Sequence, residues 1–148
     1  MTSQVVRIFG DDAAIRRIGE GLLAHSLAKE DWTHEAHLAA CVWLMLERED
    51  IVPEHDLPAI IRGYNDRIGT INDATQGYHE TLTQLYVRAV RRFLRLHRQA
   101  TLLETVNALL VSEFGARDWP LRFYSRERLF SAEARALWVE PDIAEILL

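Results

Sequence analysis

The segment from 78 to 97 constrains the fold more than any other part of the chain, because its apolar residues recur every three or four positions. They are Leu82, Leu85, Tyr86, Ala89, Val90, Phe93 and Leu96. On an α-helix this spacing forms one apolar face, which must be covered by other elements. The segment therefore predicts a long amphipathic helix that packs inside a larger helical core.

Two helices are predicted before residue 50. Asp11 or Asp12 is a suitable N-cap for an amphipathic helix over 12–29. Thr33 can cap a second helix that runs to about Glu49 and is almost entirely apolar in its middle. A helix with so few polar positions is expected at the centre of the fold.

Two further helices have recognisable end signals. The third is expected to follow a short connection bracketed by Pro53 and Pro58 and to stop near Gly69. The fifth, which comes after the amphipathic helix over 78–97, begins with a capping box at Thr101 and ends at Gly115. These signals predict five main helices.

The tail beyond Asp118 predicts only short helices, one opened by Pro120 and one within 131–138, with Pro141 as the stop. No window alternates between apolar and polar residues with enrichment in β-branched side chains, so no substantial sheet is expected. The predicted fold class is all-α. We expect a single domain over 1–148, arranged as an antiparallel bundle of about five main helices with short C-terminal helices.

Length, composition and charge narrow the class of protein. With 148 residues, 49% hydrophobic and 26% charged, the chain predicts one soluble globular domain. Its formal net charge of -5 argues against general nucleic-acid binding, which needs a surplus of Lys and Arg. The single cysteine, Cys41, suits a reducing compartment. Since neither a signal peptide nor an apolar stretch of membrane-spanning length is recognisable, we expect a cytoplasmic protein without membrane association.

Two histidine-glutamate clusters, WTHEAHL at 32–38 and GYHETLT at 77–83, contain the candidate functional residues. His34 and His37 are three residues apart, so on a helix their Cβ atoms lie roughly 5 to 6 Å from each other. His79 lies in the first turn of the helix predicted from 78. The positive end of each helix dipole disfavours imidazolium, and a neutral ring can bind a metal ion.

If the second and fourth helices place their N-termini on the same side, His34, His37 and His79 can surround one divalent metal ion, zinc or similar, with an open coordination position. Glu80 is rotated by about 100° from His79 on the helix, so its expected role is catalytic proton transfer rather than ligation. The predicted function is metal binding or metal-dependent catalysis, in which the ion polarises a substrate oxygen or activates water.

Other interpretations stay open. The clusters are not the HExxH motif of metalloproteases, because His34 and His37 are one residue too close and Thr83 stands where a second histidine would follow His79. The two helix N-termini could instead hold a small anionic ligand through backbone N–H groups. The histidines could also be structural, with His79 bonded to a loop carbonyl, in a non-enzymatic interaction module that forms a homodimer.

The two clusters and the tail FYSRERLFSAEARALWVEPDI together resemble a family of small uncharacterised bacterial all-helical proteins. In that family a histidine pair, a YHET segment and a YSxExLFSxEAR-like tail recur in this order, and the resemblance covers most of the chain. The positions that it implies for a shared site are His34, His37, His79, Glu80, Thr81, Tyr124, Ser125 and the stretch 140–142. The resemblance implies no particular substrate or reaction.

Overall fold

The computed structural model describes residues 6–148, and most of this part of the chain is helical. The α-helices are α1 (Asp12–Leu23), α2 (His34–Glu47), α3 (Pro53–Ile68), α4 (Glu80–His97), α5 (Leu102–Val111), α6 (Arg126–Leu129) and α7 (Ala132–Ala136). Short 3₁₀ turns lie at 29–31, 113–115 and 119–122. Residues 6–148 contain no β-strand, so the prediction of an all-α bundle with five main helices and short C-terminal helices is confirmed.

Helix α4 follows the predicted amphipathic pattern over most of its length. Leu85, Ala89, Val90 and Phe93 are buried in the main hydrophobic core. Leu96 departs from the prediction, because 56% of its surface is exposed in the last turn of the helix. The apolar stripe therefore continues by about one turn past the part of α4 that the core covers.

Helix α2 lies at the centre of the fold, as its composition predicts. It contacts α1, α3, α4 and α5, and every residue from 38 to 44 is buried. Gly19 brings α1 close to it, since a Cβ at Gly19 would overlap the ring of Trp43. Thr33 caps the helix as predicted, and its Oγ1 accepts the backbone N–H of Ala36 at 3.1 Å. This cap makes His34 the first residue of α2.

Helix α1 ends at Leu23 rather than near residue 29. His25 has a left-handed backbone with a φ of 56°, which is incompatible with a continued α-helix. The carbonyl oxygen of Gly21 accepts the N–H groups of Ser26 at 2.8 Å and Leu27 at 3.2 Å as the chain turns. The apolar pattern did not predict this helix end, because Leu27 lies beyond the helix and still packs against the core.

The first turns of α1 and α5 are tied to each other. Asp11 caps α1 through its carboxylate, and Thr101 caps α5 through its hydroxyl, both as predicted. The neighbouring Asp12 accepts the backbone N–H of Leu103 at 2.8 Å, so it supplies a second acceptor to the start of α5. The two helix starts are therefore held together by a side-chain contact across the bundle.

Helix α3 begins at Pro53, earlier than predicted, and ends at Ile68 with Gly69 as its C-cap, so the predicted stop near Gly69 is confirmed. Pro53 occupies the first helical position, where a missing N–H has no consequence. Pro58 lies inside the helix and leaves the carbonyl of Glu54 without its usual donor. The side chain of Gln84 on α4 donates to that carbonyl at 3.0 Å. A contact from a neighbouring helix therefore compensates for a proline that the sequence alone indicates as part of a connection.

Helix α5 ends at Val111, before the predicted end at Gly115. The hydroxyl of Ser112 donates to the carbonyl of Leu109 at 2.6 Å and accepts the N–H of Phe114 at 3.3 Å. This local pairing competes with the continued helix, and the chain enters a 3₁₀ turn that contains Gly115.

Among the helices of residues 6–148, none combines the length and apolar character that a membrane span requires. Large apolar side chains that remain exposed include Ile8, Val52, Ile71, Leu96, Val111, Phe130, Leu137, Ile143 and Leu147. The homodimer stays a prediction, and light scattering on the purified protein would check it.

Candidate functional site

A cavity of about 1250 Å³ lies between α2, α3, α4 and the C-terminal tail. His34, His37 and His79 all line it, so the structure brings the three predicted ligands to one cavity. Much of the remaining wall is apolar, and it includes Leu38, Leu57, Ile61, Leu82 and Leu129. The three rings differ, however, in how their nitrogen atoms are bonded.

His34 is half-buried at the first position of α2. Its Nε2 atom lies 3.0 Å from the carbonyl oxygen of Gly115. Because a carbonyl oxygen only accepts hydrogen bonds, Nε2 carries the proton and Nδ1 keeps a lone pair. Nδ1 has no hydrogen-bond partner within residues 6–148, so it is free to accept a bond from a ligand.

His37 lies almost one helical turn further along α2 and has the opposite tautomer. Its Nδ1 atom lies 2.6 Å from the carbonyl oxygen of Thr33, so Nδ1 carries the proton and Nε2 is left with a lone pair. The ring stacks on Trp32 with 3.7 Å between the ring centroids. The carbonyl and the indole together fix the orientation of His37.

The environment of His37 favours its neutral form. Although the residue is exposed, it lies in the wall of a concave cavity, where surrounding protein atoms displace water. This desolvation lowers the pKa of His37 below its ordinary value of 6.5, and the nearby His34 adds to the lowering, whereas the bond to Thr33 opposes it. His37 is therefore neutral at pH 7 and keeps its free lone pair.

An NMR titration of the imidazole signals checks this state of His37. We expect a midpoint well below 6.5 in the native protein, and a proton on Nδ1 at neutral pH. In a Trp32→Ala variant, water reaches the face of the ring, so the midpoint should move towards the ordinary value. A native midpoint at or above 6.5 would contradict the predicted neutral site.

His79 is the N-cap of α4 rather than a residue of its first turn, which corrects the sequence prediction. Its Nδ1 accepts the backbone N–H of Leu82 at 3.1 Å, and its Nε2 donates to the carbonyl of Leu129 at 2.7 Å. The side chain is 7% exposed, and burial lowers its pKa, with the charge of Arg135 acting in the same direction. The alternative in which His79 bonds a backbone carbonyl is therefore observed, and metal binding at His79 would require the loss of one of these two bonds.

The residues around His79 hold the C-terminal tail against α4. The hydroxyl of Thr81 lies 2.7 Å from the carbonyl oxygen of Ala134 and 2.9 Å from that of Leu137. In the other direction, the side chain of Arg135 donates to the carbonyl of Gly77 at 2.9 Å. The YHET segment and the tail, which carry much of the family resemblance, thus form one structural unit.

The tail residues that the resemblance implies also have structural contacts. The hydroxyl of Tyr124 donates to the carbonyl of Val139 at 2.7 Å. The hydroxyl of Ser125 caps α6 and donates to Asp142 at 2.6 Å. These bonds close the tail on itself, so its packing alone explains these residue types.

Glu80 begins α4 and is half-buried. Its carboxylate accepts the hydroxyl of Tyr78 at 2.6 Å. Within the described residues, Tyr78 belongs to the cavity wall and Glu80 does not. Proton transfer by Glu80 stays a prediction, and the structure connects this carboxylate to the cavity through the hydroxyl of Tyr78.

Glu35, between the two histidines, is a cavity residue that the sequence did not single out. It is buried, with 3% of its surface exposed. Its two carboxylate oxygens lie 3.4 and 3.5 Å from a single nitrogen, Nη2 of Arg117. Both residues line the cavity. The only sequence signal was the glutamate in HEAH, since its burial depends on how distant parts of the chain pack around the start of α2.

Tyr86 is a second cavity residue that the sequence indicated only as part of the apolar stripe. Its ring meets the ring of His34 edge-on, with 6.1 Å between the centroids. Its hydroxyl has no hydrogen-bond partner among residues 6–148, and burial raises its pKa, with a smaller contribution from Asp118. Tyr86 therefore offers a neutral hydroxyl that can donate to or accept from a bound molecule.

Cys41 lines the cavity and is buried, with 5% of the residue exposed. Burial raises its pKa to about 12. Since metal ligands of this type are thiolates, Cys41 is a poor ligand in this state. Within residues 6–148, no group of three or more His, Cys, Asp or Glu side chains is arranged to hold a metal ion.

Comparison with protein-family models, with curated proteins and with solved structures found no match to this chain. The resemblance to a family of small bacterial proteins stays a prediction based on the three quoted segments.

Proposed function

We propose that this protein binds a small organic molecule in the cavity, with His34 and His37 in contact with the polar part of that molecule. The observation that carries the proposal is that each ring donates one N–H to a backbone carbonyl, while its other nitrogen has no partner in the described part of the chain. Both rings lie in the wall of the same, largely apolar cavity. Sites for small molecules commonly combine an apolar cavity with a few oriented polar groups.

The same geometry supports chemistry on the bound molecule. A neutral histidine whose tautomer is fixed by a carbonyl can take a proton from a nearby group. Tyr78 lines the cavity and donates to Glu80, so Glu80 would move a proton through the Tyr78 hydroxyl. Burial and the bond to Glu80 raise the pKa of Tyr78, which keeps it protonated near neutral pH.

A fragment screen by ligand-observed NMR tests the proposal. We expect fragments with an apolar ring and one polar group to bind and to shift the imidazole signals of His34 and His37. The double variant His34→Ala/His37→Ala should weaken binding by roughly tenfold to a hundredfold, the effect of two lost hydrogen bonds.

The matched control is His55→Ala, because His55 is exposed on α3 and does not line the cavity. Equal affinities in the control and in the double variant would contradict a role for the histidine pair.

A second proposal is that His34 and His37 bind a divalent metal ion such as zinc. It is favoured by one feature: both rings donate an N–H to a carbonyl while the other nitrogen stays free, as metal-ligating histidines generally do. Because the described residues provide only this pair with unbonded nitrogens at the start of α2, water or the bound molecule would have to complete the coordination sphere.

Zinc titration by calorimetry separates the two proposals. If the metal binds, the heat should disappear in both His34→Ala and His37→Ala and persist in His79→Asn. Heat that is unchanged in the first two variants would exclude the pair as the metal site, and fragment binding that survives a chelator would leave the small-molecule proposal intact.

A cytoplasmic location is part of the proposal. It is supported by the buried, unpaired thiol of Cys41, which suits a reducing compartment.

A further inference from the structure

We infer that the molecule bound in this cavity is an organic amine, with a protonated ammonium group attached to an apolar body. The inference rests on the proposed function, because it names the class of molecule that the same cavity takes. It follows from the hydrogen-bonding capacity that the start of α2 leaves unused.

The unused groups at the start of α2 are all hydrogen-bond acceptors. His34 presents Nδ1 and His37 presents Nε2, since the other nitrogen of each ring is bound to a carbonyl. Glu35 adds a carboxylate from the same helical turn. A ligand group that contacts these side chains must therefore be a hydrogen-bond donor.

Among residues 6–148, the cation nearest to the carboxylate of Glu35 is Arg117, which is not close. Charge-assisted N–H···O bonds usually measure about 2.7–2.9 Å. The contacts from Arg117 measure 3.4 and 3.5 Å, and both come from one nitrogen of a side chain that is 49% exposed. A carboxylate on a side chain that is 4% exposed, and that is so loosely paired, can be stabilised by a second cation from the cavity.

Several hydrogen-bond donors deeper in the cavity wall already have acceptors among residues 6–148, whereas the unbonded hydroxyl of Tyr86 can serve a ligand either as donor or as acceptor. The hydroxyl of Tyr78 donates to Glu80, and that of Thr83 donates to the carbonyl of His79. The side-chain N–H of Asn65 donates to Asn72. The cationic residues Lys29 and Arg126 line the cavity too, but both are exposed, where water screens their charge. The positive end of the α2 dipole favours an anion here. An anionic ligand would nevertheless face two lone pairs and a buried carboxylate, and the full negative charge of Glu35 outweighs the partial charge of the helix end, so the anion-binding alternative is the less favourable one.

Aromatic rings complete the match to an ammonium group. Trp32 and Tyr86 line the cavity near His37 and His34, respectively. The negative faces of such rings attract organic cations. The apolar wall from α2, α3 and α4 then accommodates the hydrocarbon part, and its volume of about 1250 Å³ is ample for a molecule larger than a single ring.

Three probes with the same phenylpropyl skeleton test the charge preference: phenylpropylamine, phenylpropanol and phenylpropanoate. Calorimetry on the intact chain at pH 7 should show that the amine binds roughly tenfold or more tightly than the carboxylate, with the alcohol between them. Chemical-shift changes at His34 and His37 should report that each probe enters this cavity.

Two substitutions should change amine affinity in opposite directions. Glu35→Gln should weaken the amine by roughly tenfold and leave the alcohol within about twofold, because only the charged interaction is lost. Arg117→Gln should strengthen binding of the amine, because it removes a competing cation from the same carboxylate.

Glu113→Gln is the matched control, since Glu113 is an exposed carboxylate outside the cavity wall. Circular dichroism confirms that each variant is folded, and Arg117→Gln keeps the test decisive if Glu35→Gln unfolds.

The outcomes distinguish a failure of the amine inference from a failure of the proposed small-molecule site. Tighter binding of phenylpropanoate, or an amine preference that neither Glu35→Gln nor Arg117→Gln changes, overturns the amine inference. If the His34 and His37 signals still shift in that case, the proposed small-molecule site stands. If none of the three probes binds, both proposals fail.

Discussion

The variant Gly115→Ala is expected to lose roughly 3 kcal/mol of unfolding free energy, near the upper end of the usual cost of overpacking. A Cβ at Gly115 would overlap the carbonyl oxygen of Leu110. Leu110 belongs to the last turn of α5 and is buried, so its backbone cannot move aside without disturbing the core. The carbonyl of Gly115 accepts the N–H of His34. A shift of the backbone at Gly115 would therefore also break the hydrogen bond that fixes the tautomer of His34.

Thermal unfolding and imidazole NMR measure the two parts of this prediction. For a chain of this size the melting temperature should fall by roughly 6 to 12 °C. Gly10→Ala is the control, since a Cβ there meets no atom within 4 Å. If Gly115→Ala and Gly10→Ala have the same melting temperature, the close approach of Gly115 to α5 is not present in solution.

The variant His79→Ala is expected to cost roughly 2 to 4 kcal/mol, which combines the loss of an N-cap with an unsatisfied buried carbonyl. The cap bond is that from Leu82, and the carbonyl is that of Leu129 in the tail. His79→Asn separates these contributions, because asparagine is a good N-cap but is too short to occupy the same position as the imidazole Nε2. We expect Asn to recover about 1 kcal/mol relative to Ala.

Acid should destabilise the protein partly through His79. Burial lowers its pKa in the folded state, whereas the unfolded chain titrates near the ordinary value of 6.5. The unfolded state therefore binds more protons as pH falls below 6.5, and stability decreases until pH passes the lowered folded pKa. Protonation puts a hydrogen on Nδ1, which then faces the N–H of Leu82 and cannot accept from it.

Urea unfolding from pH 7.5 down to pH 4.5 measures this dependence. His79→Asn should show a shallower loss of stability with acid than the native chain, and the remaining slope includes the contribution of His37. In His55→Gln, a change at an exposed position, the slope should equal the native one. Equal slopes for the native chain and His79→Asn would show that His79 is not the acid-sensitive group.

Much of the helical framework could be predicted from local signals. The periodicity of α4 and the caps at Thr33, Thr101 and Gly69 depend on residues within a turn or two of each other, and all are confirmed. Helix α5 ends earlier than predicted, because the hydroxyl of Ser112 donates to the carbonyl of Leu109 in the preceding turn. A serine side chain permits several such local bonds, so the sequence does not specify this one.

The sequence could predict which histidine rings lie near one another, but it could not predict most of their hydrogen bonds. The spacing of His34 and His37, with His79 at another helix start, identified three rings that line one cavity. The bond from His37 to Thr33 is local. By contrast, which nitrogen of His34 remains free depends on the carbonyl of Gly115, and the second nitrogen of His79 is occupied by the carbonyl of Leu129, both far along the chain. The burial of Glu35 depends on the packing around α2 in the same way.

The sequence by itself determined that most of residues 6–148 fold into helices with buried faces, because helix propensity, capping and apolar periodicity are local properties. Only the tertiary structure decided that Gln84 compensates for Pro58, that the second nitrogen of His79 bonds the tail and that His34 donates to Gly115 and keeps Nδ1 free among residues 6–148. Each of these outcomes depends on where a donor or acceptor meets its partner in space. In all three cases the partner lies far along the chain and is brought close only when distant elements pack together.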